Sequence, residues 1–223
     1  MKNLKNALLL KHLYQIKNLG YRYSSLRLYE ASEPDFKLFE GLDSIEKEAK
    51  DCHLCRLSKS RKRVIFGDGN KSANVMFVGD FPSNSDESVG RVFTSKVGDL
   101  LTKMIESVLL IPKDKVYFTN ILKCRPLDTI NPSPTYAHTC MPYLLKEIEL
   151  INPQIVVVLG EITYHYLTGE NKKIEEIRGE KYSQNGYIII PTHHPRDILK
   201  NASLKREIFE DLKIIKGELD LCL

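Results

Sequence analysis

A run of four apolar residues at positions 75–78 leads directly into the sequence GDFPS. A short apolar run that ends at glycine and proline is typical of a strand buried on both faces. In open α/β sheets, ligands bind in the crevice just outside the carboxyl ends of the strands. The turn that begins at Asp80 is therefore predicted to form part of a functional site.

The same kind of short apolar run occurs three more times, at residues 116–119, 155–159 and 187–190. Segments with apolar residues at helical spacing follow the runs, at residues 97–110, 135–151 and 204–216. Alternating strands and helices are the pattern of a parallel sheet covered on both faces. The prediction is an α/β fold with three layers, α/β/α, around a four-stranded parallel sheet.

Polar side chains follow the predicted strands, and they are Asp80, Asn120, Glu161 and His194. Because parallel strands end at one edge of a sheet, these side chains are expected at one crevice. Burying them is costly unless they find partners, which favours a binding or catalytic site over a polar network that serves only the fold. Phe93 is expected beside the same crevice, with a place in the core as its alternative.

The chain has 223 residues and a formal net charge of +4. No apolar run approaches the length of about 18 residues that spans a bilayer. We expect a helical extension at residues 1–45, with a helix at 4–19, and one main domain at residues 46–223. We also expect a cytoplasmic monomer without a membrane partner. The charge is compatible with a polyanionic partner but is too small to establish one.

Five cysteines are an odd number, which disfavours a closed disulfide framework and favours metal binding or free thiols. Cys52 and Cys55 form a Cys-x-x-Cys pair that suits a metal, although a redox dithiol has the same spacing. Cys124 and Cys140 lie far apart in the chain, so only the fold can bring them to one site. Directly after the first pair, residues 56–63 contain five cations and no acid, as expected for a phosphate contact or for a solvated loop.

These motifs together resemble the family 4 uracil-DNA glycosylases, the iron-sulfur class of the uracil-DNA glycosylase superfamily. The resemblance covers residues 51–217. It rests on motifs in a fixed order, namely Cys52 with Cys55, the run NILKCRP from Asn120, Cys140 in the next helix, and His194 with Pro195. Each motif is weak alone, but their order and their placement on the predicted elements are specific.

The resemblance implies a [4Fe-4S] cluster, with tetrahedral zinc as the alternative for four thiolates. Its expected ligands are Cys52, Cys55, Cys124 and Cys140. The task of the cluster would be architectural, since it would tie the basic segment to the proline-rich loop after Cys124. Phosphates of DNA are then expected to contact Arg61, Lys62 and Arg63. Arg196, the other expected DNA contact, would reach a phosphate or the place in the base stack that the flipped nucleotide vacates.

The resemblance also implies an activity on single- or double-stranded DNA that contains uracil. The enzyme would flip the uracil nucleotide out of the helix, hydrolyse its N-glycosidic bond and leave an abasic site. Asp80 would orient the attacking water or stabilise the sugar cation. An N–H group of His194 would stabilise the negative charge on the departing uracil.

The resemblance assigns the remaining residues to a pocket for the flipped base. Phe93 would stack on the ring, and Asn120 would pair with its N3–H and O4, an arrangement that cytosine reverses. Asp86 would lie near C5 and exclude the thymine methyl group. Three residues of the turn would complete the wall, and they are Gly79, Phe81 and Pro82.

The sequence departs from the family motif around this pocket. Asp80 stands where the family typically has Glu, Phe81 replaces a small residue, and Ser83 replaces a glycine. Arg196 follows the His-Pro pair where the family has Ser. A bulky Phe81 either narrows the pocket or points away and stacks. The alternative function is therefore a diverged, weakly active or non-catalytic iron-sulfur DNA-binding member of the same superfamily.

Overall fold

The computed structural model describes residues 41–126 and 133–221. The helix expected at residues 4–19 lies outside the described residues, and so do most of the expected extension and Cys222. The domain boundary at residue 45 therefore stays a prediction. Within the described ranges, no helix is both long enough and apolar enough to cross a membrane.

One mixed sheet of six strands forms the centre of the fold, in the order β1-β3-β2-β4-β6-β5. The strands are β1 (Asp68–Gly69), β2 (Val75–Gly79), β3 (Tyr117–Asn120), β4 (Ile155–Leu159), β5 (Tyr182–Gln184) and β6 (Tyr187–Thr192). The central strands β3, β2, β4 and β6 run parallel, which confirms the predicted parallel sheet. The two edge strands β1 and β5 pair antiparallel and were not predicted, because each has only two or three residues.

Helices cover both faces of the sheet. Their bounds are α1 (Leu42–Lys50), α2 (Leu57–Ser60), α3 (Asn84–Val89), α4 (Lys96–Met104), α5 (Pro134–Ile151), α6 (Glu161–Thr168), α7 (Ile174–Ile177), α8 (Pro195–Ile198) and α9 (Leu204–Leu221). A π-helical turn, Ile105–Leu109, extends α4, and a 3₁₀ turn, Lys113–Lys115, precedes β3. The helices predicted at residues 97–110, 135–151 and 204–216 are confirmed, and α9 runs further than expected because its buried stripe continues to Leu219.

The sheet separates two hydrophobic cores, as a three-layer α/β/α fold requires. Along β2, Met76 and Val78 belong to the core shared with α1, α5, α6 and α7. Val75 and Phe77 belong to the other core, shared with α4, α8 and α9. Successive side chains of a strand point to opposite faces, so one apolar run supplies both cores.

Candidate active site and cysteine cavity

The turn after β2 is held to the loop that follows α3. The backbone N–H of Ser83 donates to Oδ2 of Asp86 at 2.8 Å, and the hydroxyl of Ser83 caps α3 in return. The other oxygen of Asp86 accepts from the backbone N–H of Thr94 at 2.7 Å and from its hydroxyl at 2.8 Å. Both oxygens of Asp86 are thus engaged within the protein, and its expected contact with C5 of the base stays a prediction.

Phe93 lies in this loop with an unusual backbone conformation. Its φ is 52°, in the left-handed region, which is strained for a bulky side chain. Its carbonyl oxygen lies so close to Gly98 that a Cβ at that position would meet it at 1.8 Å. The side chain is buried and lies against Phe118, with 5.7 Å between the ring centroids. Strained residues of this kind occur preferentially at functional sites.

Phe93 and Asn120 converge on Gly79, the last residue of β2. A Cβ at Gly79 would lie 2.5 Å from Oδ1 of Asn120 and 3.0 Å from Cζ of Phe93. Asn120 pairs with Gly79 in the register of β2 and β3, and only 3% of it is exposed. A side-chain amide held at a strand end beside an aromatic ring is a natural group for binding a polar, planar ligand.

Asp80 and His194 meet at the ends of β2 and β6. Oδ1 of Asp80 lies 3.9 Å from Nε2 of His194 and accepts the backbone N–H of Phe81 at 2.7 Å. The guanidinium of Arg196 donates to the same oxygen and lies over the ring of Phe81, 5.2 Å from its centroid. Burial raises the pKa of Asp80, and Arg196 opposes this rise.

The hydrogen bonds of His194 determine where its proton lies. Its Nδ1 accepts the backbone N–H of Arg196 at 3.1 Å, so the neutral ring carries its proton on Nε2. Burial holds the pKa of His194 well below its usual range, and the positive charges of Arg196 and Lys200 lower it further. The ring is therefore neutral at pH 7, and its N–H group points towards Asp80.

A crevice opens in front of Asp80, His194 and Arg196. Asn120 and Phe93 do not line it, since β3 and β4 lie on opposite sides of β2. The expected site residues thus form two groups, Phe93 with Asn120 and His194 with Arg196, which adjoin at the consecutive residues Gly79 and Asp80. Pro82, the third expected residue of the turn, is buried.

The expected cysteine ligands line one cavity, which they share with Arg61, Lys123 and Tyr143. They are Cys52, Cys55, Cys124 and Cys140. Protein N–H groups reach two of the thiols. The guanidinium of Arg61 donates to Sγ of Cys124 at 3.4 Å, and the backbone N–H of Lys123 donates to Sγ of Cys140 at 3.3 Å.

The four thiols lie at one cavity, as a shared metal or cluster site requires. Burial raises the pKa of Cys55, and it raises the pKa of Cys140 to about 12. A reactive redox dithiol instead needs a lowered pKa.

The family model described as the Uracil DNA glycosylase superfamily matches residues 66–213. The chain belongs to this superfamily. Three curated relatives carry the name Type-4 uracil-DNA glycosylase, which confirms the resemblance noted in the sequence. The Sulfurisphaera tokodaii relative is 36% identical, with 79% of this chain and 84% of the relative covered. The Saccharolobus solfataricus relative is 35% identical, with 81% and 87% covered, and the Thermotoga maritima relative is 33% identical, with 80% and 94% covered.

This member of the superfamily has a buried ion pair that the sequence did not predict. Lys123 and Glu147 are paired and almost completely buried. The ammonium group also donates to the backbone carbonyl of Asn120 at 2.9 Å, and the carboxylate accepts from the Tyr117 hydroxyl at 3.0 Å. The sequence contained one indication of this pair, because Glu147 occupies a position on the apolar face of α5, next to Ile148.

A second network that the sequence did not predict anchors the end of β6 and the loop with His193 and His194 to α9. The hydroxyl of Thr192 donates to Asp211 at 2.6 Å, and Arg178 pairs with the same carboxylate at 2.9 Å. One turn earlier on α9, Glu207 lies 2.9 Å from Nε2 of His193. These contacts fix the end of β6, from which His194 projects.

The basic segment, residues 56–63, lies beside a wide groove next to β1. Its cations differ in the groups they contact. Lys62 and Arg63 form no ion pair within the described ranges, and they face the groove. Arg61 instead donates to Cys124 and to the backbone carbonyl of Lys50 at 3.0 Å, so it is turned towards the cysteine cavity. Arg196, the other expected DNA contact, lies in the crevice beside Asp80.

Proposed function

We propose that this protein is a uracil-DNA glycosylase that hydrolyses the N-glycosidic bond of uracil in DNA and leaves an abasic site. The observation that carries the proposal is the convergence of Phe93 and Asn120 on Gly79, the residue before Asp80, whose carboxylate lies 3.9 Å from Nε2 of His194. The names of the curated relatives support the same activity.

The base pocket would consist of one aromatic ring and one amide. Phe93 stacks on the flipped uracil, a contact worth about 1–3 kcal/mol per base. The Asn120 carbonyl accepts from N3–H, and its amino group donates to O4. Cytosine presents the opposite groups at both positions, so discrimination of about 1–3 kcal/mol follows from the hydrogen bonds. The missing Cβ of Gly79 leaves the space in which both side chains reach the base.

The bond between C1′ of the sugar and N1 of uracil breaks with its electron pair on uracil. Negative charge then develops on O2 of uracil, and positive charge develops on the sugar. The Nε2–H group of neutral His194 donates a hydrogen bond to O2, as in an oxyanion hole. Asp80 faces the sugar cation and orients the water whose oxygen forms the new bond to C1′. The water loses one proton to solvent and the departing uracil anion takes one up from solvent, so that the products are the abasic sugar and neutral uracil.

We further propose that Cys52, Cys55, Cys124 and Cys140 hold a [4Fe-4S] cluster, with zinc as the alternative. When bound, the cluster would tie together α5, the loop after β3 and the segment that precedes α2. Purified Cys124→Ala protein should lose the broad visible absorbance and most of its iron, and it should unfold more readily. Cys222→Ala serves as the control and should keep its iron. Detection of zinc instead of iron in the purified wild-type protein would show that the cysteines hold zinc.

The substrate would be single- or double-stranded DNA that contains uracil, bound by a cytoplasmic monomer. Lys62 and Arg63 are the cations best placed for phosphates, because they face the open groove without an acidic partner in the described chain. The exposed large apolar side chains of the described residues are Val89, Leu110, Leu145, Leu199, Ile214 and Leu221, which come from different parts of the sequence. Exposed apolar side chains that occur singly are normal on a protein surface.

One assay tests the activity. Pure wild-type protein is incubated with single- and double-stranded oligonucleotides that contain one uracil, and free uracil is measured. We expect release from the wild-type protein. Asn120→Ala and His194→Ala should lose most of it while they keep the iron-sulfur absorbance. Absence of release, with DNA binding retained, would instead identify a non-catalytic DNA-binding member of the superfamily. Full release by both variants would reject the proposed pocket.

A further inference from the structure

Arg196 makes two contacts in the crevice that involve other unusual residues of this chain. Its guanidinium donates to Oδ1 of Asp80 and lies 5.2 Å from the centroid of the Phe81 ring. Asp80, Phe81 and Arg196 are three of the positions at which the sequence departs from the family motif. Because they touch one another, they form a single structural unit rather than three independent changes.

The contacts leave the two oxygens of Asp80 in different situations. Oδ1 accepts both the backbone N–H of Phe81, at 2.7 Å, and the guanidinium of Arg196. Both of these hydrogen bonds go to Oδ1, so neither Phe81 nor Arg196 engages Oδ2. The backbone N–H of Arg196 also holds Nδ1 of His194 at 3.1 Å. One residue therefore orients both groups that the proposed chemistry uses.

We propose that Arg196 is a positioning residue that clamps Oδ1 of Asp80, keeps this buried carboxylate negatively charged, and leaves Oδ2 to orient the attacking water. The proposal deepens the function proposed above and rests on it for the role of the water. The aromatic ring of Phe81 supports the planar guanidinium from below, a contact that favours arginine over lysine.

The surroundings of Asp80 make such a clamp necessary. Asp80 is 5% exposed, and a buried carboxylate stays ionised only when it is paired. His194 is neutral and supplies no positive charge. The other titratable groups that line the crevice are Glu161 on α6, His193 on the loop after β6, Asp197 on α8, and Lys200.

Several of these groups interact with residues other than Asp80. His193 lies against Glu207, and Lys200 pairs with Asp197 at 3.5 Å. Asp86 on α3 is bonded to Ser83 and Thr94. Within the described chain, Arg196 is therefore the cation that contacts Asp80. Burial raises the pKa of Asp80 and Arg196 lowers it, so removal of Arg196 should raise the pKa further.

A direct titration tests the clamp without any measurement of activity. The full-length protein is labelled with ¹³C at aspartate carboxyl groups, and the signal of Asp80 is identified by its loss in Asp80→Asn. The midpoint of this signal should move to higher pH in Arg196→Gln and in Arg196→Met, two variants that guard against misfolding of either one. Lys200→Met removes a positive charge from the same crevice without touching Asp80, and it should move the midpoint less. An unchanged midpoint in both Arg196 variants would overturn the proposal.

The dependence of uracil release on pH connects the clamp to the reaction. With Arg196→Gln, the acid limb of the kcat profile should move to higher pH, so that activity lost at neutral pH returns in part at alkaline pH. Arg196→Lys should move the limb less than Arg196→Gln. A uniform loss of activity with an unchanged acid limb, or an effect on DNA affinity alone, would contradict the proposed role. If the titration behaves as expected but the wild-type protein releases no uracil, the clamp stands and the proposed function fails.

Discussion

Lys123 donates from its ammonium group to the backbone carbonyl of Asn120 at 2.9 Å. Its backbone N–H donates to Sγ of Cys140 at 3.3 Å, and its charge is paired with Glu147 on α5. One buried lysine thus connects the end of β3, which carries the candidate base-reading amide, to the cysteine cavity. A displacement of Cys140 would therefore reach Asn120 through the two hydrogen bonds of Lys123.

Removal of the Lys123 charge should destabilise the fold. Lys123→Met leaves Glu147 as an unpaired buried carboxylate, and breaking a buried ion pair in this way costs about 3–5 kcal/mol. Urea unfolding of the purified protein would measure the loss. Lys123→Met combined with Glu147→Gln removes both charges and keeps an acceptor for Tyr117, so the double variant should recover part of the loss. A Lys123→Met protein as stable as the wild type would contradict this account.

The central sheet could be predicted because the apolar pattern that defines each strand lies within a few consecutive residues. Each parallel strand is covered on both faces, so it reads as a continuous apolar run, as in β2 and β4. The rule that strand ends gather at one edge then placed Asp80 and His194 together. The edge strands β1 and β5 lack such a run, since pairing with β3 and β6 alone defines them.

Side-chain direction in the site could not be predicted, because it depends on contacts between distant segments. Arg61 belongs to the basic segment by sequence, yet its guanidinium lies against Cys124. The ring of Phe93 lies against Gly79, and the backbone of Phe93 is left-handed, a conformation that the sequence does not reveal. Arg196 was expected at a phosphate or in the vacated base stack, and the contact of its guanidinium with Asp80 depends on how close α8 lies to the turn after β2.

Addition of one methyl group at Gly79 should block the base pocket. In Gly79→Ala, the new Cβ would lie 2.5 Å from Oδ1 of Asn120 and 3.0 Å from the ring of Phe93, so one of them must move. We expect a loss of uracil release of at least about tenfold, which corresponds to about 1.4 kcal/mol in the transition state. Steady-state kinetics on a single-stranded oligonucleotide would measure it.

Gly217→Ala is the matched control, because nothing lies within 4 Å of the added Cβ on α9. This change should leave uracil release unaltered and stabilise the helix by about 0.5–1 kcal/mol. Equal activity of Gly79→Ala and the wild type would show that the base does not use the space above Gly79.

The ring of His194 should remain neutral well below pH 6.5. Burial and two nearby cations hold its pKa below the usual range, and the backbone N–H of Arg196 selects the Nε2–H form. In ¹⁵N-histidine NMR spectra, the signals assigned by their absence in His194→Gln should show a protonated Nε2 and an unprotonated Nδ1 at pH 7. Because the pKa is lowered in the folded state, the stability that neutral His194 contributes is present above pH 6.5 and is lost as pH falls below it. Protonation of both nitrogens at pH 7 would refute the proposed donor role.

Lys62 and Arg63 should carry part of the salt dependence of DNA binding. Each phosphate contact contributes about 0.9 to the slope of log K against log salt for double-stranded DNA, so Lys62→Ala with Arg63→Ala should reduce the slope by up to about 2. The measurement is a titration of a fluorescent duplex without uracil at several salt concentrations. Lys213→Ala removes an exposed cation of α9 and serves as the matched control, with an unchanged slope expected. The loss of affinity should be similar for different DNA sequences, because contacts to phosphates position the duplex without reading its bases. An unchanged slope in the double variant would place the DNA on another face of the protein.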